Sequence, residues 1–300
     1  MSDDRRVIAV VGASGSQGSA VVRALVDQGA FRVRALTRNP GSYAGPADEV
    51  VEADLNSRDS LEVAFADVHG VFAVSNFWAP GSDEVAQGAN AVGAARAAGV
   101  RHFVWSTLPN VDAISGGEFD VAHFTNKAKV DAIVRDGGFD WFTYVEAPFY
   151  FENLLTNMAP QALPDGRTGW ALPMPAGARV VHMGSIADLG GVVAGAFDHP
   201  EAVGAGSYLS SAAGLMSFQE VADILNSQGH SIAVAEVPAE VFATFFPGAE
   251  EMAQMMGYWQ KYTYLGPTGD DAIAAARGVS TTPSTDFATW ASANMPAASS

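Results

Sequence analysis

The apolar positions of this chain follow two periods that take turns. Residues 6–11, RVIAVV, form a short β-rich run that stops at glycine, as a strand buried on both faces does. From Ser19 to Gln28 the apolar residues recur at helical spacing, and Gly29 ends them. The alternation continues, with strands predicted over 31–36, 50–53, 70–74, 102–106 and 141–145. Helices are predicted over 58–66, 84–98 (closed by Gly99) and 122–135. Strand followed by helix, repeated up to Val145, predicts parallel strands joined by crossover helices.

Beyond Pro148 the regularity weakens. Short strands are predicted over 169–172, 179–183, 207–210 and 231–237. Ser217 and Glu220 have the spacing of a capping box that opens a helix running to Ser227. Helices over 238–246 and 250–260 are heavy in aromatic residues or methionine, and the tail 296–300, PAASS, is expected to be disordered. The fold class is therefore α/β: a doubly wound parallel (Rossmann) sheet with a smaller C-terminal α+β subdomain. Residues 1–150 form the dinucleotide-binding domain. Residues 151–300 form a subdomain for substrate or partner, partly interleaved with the first.

Composition narrows the function classes. The chain has 300 residues, 48% of them hydrophobic, ample for a buried core. No run of apolar residues is long enough to span a bilayer, and MSDDRR has no apolar segment of a signal peptide. There are no cysteines, which excludes disulfides and thiolate metal sites and fits a reducing, cytoplasmic setting. The net charge of −17 argues against direct nucleic-acid binding. No histidines and acids fall at metal-ligand spacing, so no metal is expected. No G-x-S-x-G elbow is present either.

The first strand runs into GASGSQG, with Gly12, Gly15 and Gly18 leading into a helix. Such a turn can be punctuation. It can also hold a pyrophosphate: the first glycine permits the turn, the second lets backbone approach the phosphates, and the third lets helix and strand pack closely. The helix N-terminus adds open N–H groups and partial positive charge. The strand–turn–helix setting favours the second reading. The second predicted strand ends in Leu36-Thr37-Arg38-Asn39, with no acid for a ribose 2′-hydroxyl. Arg38 can fork onto a 2′-phosphate, or it can be a solvated strand-end arginine. The first alternative makes NADP(H), not NAD(H), the expected cofactor.

With these residues in place, the chain resembles the NmrA-like family of atypical short-chain dehydrogenase/reductases. The matching pieces are GASGSQG at 12–18, LTRNP at 36–40, SNFW at 75–78, STLPN at 106–110, HFTNK at 123–127 and PFYFENLL at 148–155. The second half matches more loosely, at 164–166, 185–189 and 282–290. The resemblance implies NADP contacts from Gly12, Ala13, Ser14, Gly15, Ser16, Gln17 and Gly18. It also implies contacts from Arg38, Asp54, Leu55, Ser75, Asn76, Phe77, Lys127, Tyr150, Phe151, Glu152 and Asn153.

Short-chain dehydrogenases usually pair tyrosine and lysine at i and i+4 on one helix, the lysine lowering the pKa of a proton-donating tyrosine. Here the pair is His123 and Lys127. The resemblance, with the tyrosine gone, inclines the reading to a cofactor-responsive redox sensor acting on a protein partner, in which Lys127 only holds ribose. The alternative is an NADPH-dependent reductase of a small apolar or aromatic substrate, with Lys127 or His123 as proton donor. His123 can equally be an ordinary polar helix residue. Ser106 and Thr107 either face the ligand or cap a strand. His182 is expected to be a core histidine. Phe77, Trp78, Phe149, Tyr150 and Phe151 are expected to flank the cleft. The stretch 252–264, with Met255, Met256, Tyr258 and Trp259, reads first as core, then as a pocket or partner groove.

Overall fold

The computed structural model describes residues 4–296; of the predicted disordered tail, all but Pro296 lies outside the described residues. Elements in chain order are β1 (Val7–Val11), α1 (Ser16–Gln28), β2 (Arg32–Thr37), β3 (Glu49–Glu52), α2 (Arg58–Ala64), β4 (Gly70–Ala73), α3 (Glu84–Ala97), β5 (His102–Thr107), α4 (Val111–Ser115), α5 (Ala122–Arg135) and β6 (Trp141–Glu146). There follow β7 (Phe149–Tyr150), a 3₁₀ turn (Phe151–Leu155), β8 (Gln161–Ala162), β9 (Thr168–Leu172), β10 (Val181–Gly184), α6 (Ile186–Asp198), α7 (Pro200–Val203) and β11 (Ala205–Ser210). The chain ends with β12 (Gly214–Met216), α8 (Phe218–Ser227), β13 (Ile232–Glu236), α9 (Ala239–Phe242), α10 (Ala249–Tyr262), α11 (Gly269–Val279) and α12 (Phe287–Asn294).

Seven parallel strands form the main sheet in the order β11-β6-β5-β4-β1-β2-β3. The strand order reverses at β1, which lies between β2 and β4. In such a sheet a crevice opens at the carboxyl ends of the strands around that point. Alternate residues of the central strands feed two cores. Ile8, Val10, Val33 and Phe72 pack on one face, and Ala9, Val11, Val71 and Trp105 on the other. Burial of both faces explains why these strands read as continuous apolar runs rather than as alternation.

The sequence reading missed α6, α11 and α12. In α6, glycines at 190, 191 and 195 argue against a helix by propensity. Packing explains them. A Cβ at Gly190 would lie 2.4 Å from the Ala20 carbonyl oxygen on α1, and one at Gly195 would lie 1.9 Å from that of Val279. Tertiary contact therefore selects glycine there, and the buried helix lacks the polar stripe that would have marked it. The helix expected over 238–246 is cut to α9, because Pro247 and a left-handed Gly248 (φ 89) follow within a few residues. The capping box at Ser217 and Glu220 is formed on both sides. Two three-stranded sheets, β12-β10-β7 and β13-β9-β8, pack with α8 and α10 around an aromatic core that includes Trp170, Phe218, Tyr258 and Trp259. Of the second half, α6 and β11 belong to the main sheet's layers.

Candidate functional site

The turn from β1 into α1 is built as its glycines require. Gly12 sits at φ +69, and Gly15 donates its N–H to the Gly12 carbonyl at 2.8 Å. A Cβ at Gly18 would lie 2.1 Å from that same carbonyl oxygen, so only glycine lets α1 approach the turn. Helix α1 begins at an N-cap glycine with no side-chain cap. The N–H groups of its first turn are therefore left for a ligand or solvent. Exposed Ser14, Gly15 and Ser16 border a cleft of about 530 Å³.

The cleft gathers most of the residues that the sequence singled out. Gly12, Ser14, Gly15, Ser16, Gln17, Gly18, Arg38, Asp54, Leu55, Ser75, Asn76, Phe77, His123, Lys127, Tyr150 and Asn153 all line it. Arg38 stands exposed at the end of β2, and no hydrogen bond or ion pair ties it to another described residue. Asp54 spends one carboxylate oxygen on the backbone and side-chain N–H groups of Asn56, at 2.9 and 3.0 Å.

Three expected contact residues lie elsewhere. Ala13 is fully buried, and its N–H is taken by the Leu36 carbonyl at 3.1 Å. Phe151 is fully buried against Phe287 and Trp290. Glu152 accepts from Ser185 Oγ (2.9 Å), the Ile186 N–H (3.1 Å) and Trp290 Nε1 (3.1 Å), which fastens the 3₁₀ turn to α6 and α12. Ser106 and Thr107 are also off the cleft; both are fully buried, and the Ser106 hydroxyl donates to Gln17 Oε1 at 2.7 Å. Of the aromatic residues expected to flank the cleft, Phe77, Trp78 and Tyr150 do so, whereas Phe149 packs against Phe218 and Trp259. Met255, Met256, Tyr258 and Trp259 are core. His182 is a core histidine accepting the Leu265 N–H at 3.2 Å, and burial pulls its pKa down.

Helix α5 carries the two candidate chemical groups, each held by a partner that local sequence does not indicate. The Lys127 ammonium donates to the Ser75 carbonyl (2.7 Å), Ser75 Oγ (3.0 Å) and Glu84 Oε1 (2.6 Å). An ammonium has three protons, so all of them are engaged. Burial lowers the Lys127 pKa, while the Glu84 charge and hydrogen bond pull it back up. His123 Nδ1 lies 2.7 Å from Glu251 Oε1, and the same oxygen accepts the His123 backbone N–H at 3.1 Å. The ring also lies against Phe77 and Trp78, with centroids 5.8 and 5.2 Å away. Its second nitrogen, Nε2, has no hydrogen-bond partner among the described residues, and the side chain borders the cleft. The Tyr150 hydroxyl, also without a partner, is held well above its ordinary pKa by burial.

A model of the NmrA-like family matches residues 4–290. The chain belongs to the NmrA-like family. Its relatives include the NmrA-like family domain-containing oxidoreductase FrzB of a Cladobotryum species. FrzB is 32% identical over 300 residues, covering 90% of this chain and 89% of its own length. Among solved structures, NmrA, a negative transcriptional regulator in complex with NADP, superposes with a TM-score of 0.77. It is 20% identical, covering 96% of this chain and 95% of its own. The NADPH-dependent quinone oxidoreductase QOR2 of Escherichia coli, complexed with NADPH, gives a TM-score of 0.75 at 21% identity, covering 97% and 99%. These two likenesses establish the shared NmrA-like fold. Among the described residues, no helix is long and apolar enough to cross a membrane.

Proposed function

We propose that this chain is an NADPH-dependent reductase of a planar apolar or aromatic acceptor, such as a quinone or enone. The observation that carries the reading is His123, an imidazole on the wall of the cleft with one nitrogen tied to a carboxylate and the other left open. Curated relatives such as FrzB are named oxidoreductases, which supports the same choice.

The residues fit a phosphorylated dinucleotide. The uncapped start of α1 and the Gly12–Gly15 turn would receive the pyrophosphate. Arg38, which has no partner among the described residues, would meet a 2′-phosphate, which favours NADP(H) over NAD(H). NADPH held there would supply the hydride, that is two electrons and one hydrogen, and would be converted to NADP⁺. Reduction then needs one proton at the substrate oxygen. Lys127 has its three protons committed and the Tyr150 hydroxyl is a poor acid, so the donor would be the doubly protonated His123 ring, which gives up its Nε2 proton, keeps the one on Nδ1 and takes a new Nε2 proton from water. Trp78, with 63% of its surface exposed and its ring against His123, offers a flat apolar platform beside the donor.

A cofactor-responsive sensor needs no proton donor, and His123 would then only pack against Phe77 and Trp78 and join α5 to α10 through Glu251. The test is loss of NADPH absorbance with menadione, phenanthrenequinone and benzalacetone as acceptors. His123→Phe should lower kcat by about 10² to 10⁴, the usual worth of a positioned acid, with NADPH affinity near that of the parent. Binding of NADPH with no acceptor reduced would sink the reductase reading and leave the sensor.

A further inference from the structure

The bond between His123 and Glu251 joins residues on α5 and α10 that are far apart in sequence, and it has two parts. Glu251 lies in the first turn of α10, and its Oε1 accepts both the ring Nδ1 (2.7 Å) and the backbone N–H of His123 (3.1 Å). Helix α5 has no side-chain cap of its own, since Val121 stands at its N-cap. One carboxylate oxygen therefore satisfies an open N–H of α5 and fixes the ring that grows from the same residue. The contact is half-buried, with side-chain exposures of 11% for His123 and 25% for Glu251. The His123 hydrogen bond is the largest of the effects that lower the Glu251 pKa, and burial opposes it. An ionised carboxylate only accepts, so the proton shared with the ring belongs on Nδ1.

We infer that Glu251 is the positioning residue of this site: it locks His123 in the Nδ1–H form, so that Nε2 is the nitrogen presented to the cleft. The inference rests on the reductase reading for its catalytic consequence, but not for the tautomer. When the doubly protonated ring passes its Nε2 proton to the substrate oxygen, the Nδ1 proton stays on the ring, hydrogen-bonded to Glu251, and the ring returns to the Nδ1–H form. The geometry also assigns α10, and with it the C-terminal lobe, a part in a site whose other elements are carried by the main sheet.

The test separates this role from simple helix capping and from the function itself. Histidine-labelled protein is studied by long-range ¹H–¹⁵N NMR over a pH series, the tautomer being read from the neutral-ring spectrum, with His123→Phe used to assign the signal. The parent should show Nδ1–H, and Glu251→Ala should revert to the Nε2–H form that free imidazole favours. Glu251→Gln, which keeps an acceptor oxygen, should retain Nδ1–H. In the quinone assay Glu251→Ala should lower kcat roughly 10- to 100-fold, short of the about 10⁴-fold lost when a triad carboxylate is replaced. KM and NADPH affinity should hold, and Glu251→Gln should recover part of the loss. A lower Tm in Glu251→Ala with tautomer and kcat unchanged would make Glu251 a cap alone and overturn the inference. The parent tautomer present with no turnover of any acceptor would remove the reductase reading while supporting the positioning role.

Discussion

Lys127 offers the sharpest quantitative test, because the structure gives it buried partners that its motif does not indicate. By resemblance it holds a ribose, yet its three protons go to Ser75 and Glu84. The Glu84 side chain is 1% exposed, and its other oxygen, Oε2, already lacks a partner among the described residues. Replacing Lys127 by methionine keeps the stem and removes the charge. Glu84 Oε1 then retains only the Ser75 hydroxyl at 2.7 Å, and the Ser75 carbonyl loses its donor. Stranding one member of a buried pair costs about 3–5 kcal/mol. That is a large share of the roughly 5–15 kcal/mol that holds a folded protein together. Lys127→Met should therefore move the urea midpoint well down and lower Tm by roughly 5–8 °C. Adding Glu84→Gln removes the stranded charge and should bring stability back to within about 1–2 kcal/mol of the parent, since neutral replacements of buried pairs are often nearly free. A single variant costing less than about 1 kcal/mol, or a double variant no better than the single, would refute the argument. Calorimetry on the same proteins separates two routes to the cofactor. If NADPH affinity returns with stability, Lys127 acts by holding the cleft wall. If it stays lost in the restored double variant, Lys127 reaches the ribose directly.

Three further outcomes are expected. Arg38→Ala should weaken NADP(H) by about tenfold to a hundredfold, the worth of one charge-assisted contact, and leave NAD(H) unchanged; equal loss for both by calorimetry would refute the 2′-phosphate role. Gly15→Val should abolish dinucleotide binding while far-UV circular dichroism persists. At φ −85 the backbone accepts a side chain, and the added Cβ meets only the Gly12 carbonyl, at 3.2 Å; normal binding by the variant would make the turn mere punctuation. Burial pushes Asp131 up to about 7 and Glu146 up to about 8, the Asp131 charge adding to the second. The unfolded chain ionises such carboxyls near about 4, so the contribution of these two groups to stability should be largest below that pH, fall as pH rises to about 8, and then level off. Glu146→Gln should flatten this slope and stabilise the protein at alkaline pH by about 2–4 kcal/mol; an unchanged slope in pH-dependent urea unfolding would count against it.

The parts of the fold that the sequence announced share a cause. Strands β1, β2, β4, β5 and β6 are buried on both faces, and helices α1, α3 and α5 end near residues that cannot continue them or are capped by residues that start them. Gly29 is left-handed at the C-terminus of α1, and Asp83 accepts the Ala86 N–H at the start of α3. Such signals are local, so a window of a dozen residues carries them. What stayed hidden was set by packing between distant segments. In α6, glycines that look like breakers are demanded by Ala20 and Val279, neighbours in space that no local pattern reveals. The short elements β7, β8 and β12 span only two or three residues each, too few to show any period.

The same division runs through the candidate site. The turn at 12–18 and the place of Arg38 on the same cleft were legible because a glycine turn and a strand end are both written in consecutive residues. The motif at 148–155 was legible only in part: Tyr150 and Asn153 reach the cleft, while the residues between them, Phe151 and Glu152, turn inward to serve Trp290 and α6. Chemistry on α5 was legible as to residue type and illegible as to state. His123 and Lys127 share a helix face, but what each can do depends on a carboxylate from elsewhere: Glu84 from the start of α3, and Glu251 from α10. Glu84 looks like a favourable charge in a helix's first turn, which it also is, and Glu251 looks the same on its own helix. An acid at a helix start carries no sign of the base it will meet. The sequence displayed a missing tyrosine, and the fold adds that the histidine in its place, one helical turn from the lysine, is bonded through Nδ1 to Glu251. Under the proposed reductase reading, the tautomer in which that imidazole meets a substrate is set by its Nδ1 contact with Glu251, 128 residues away in the chain.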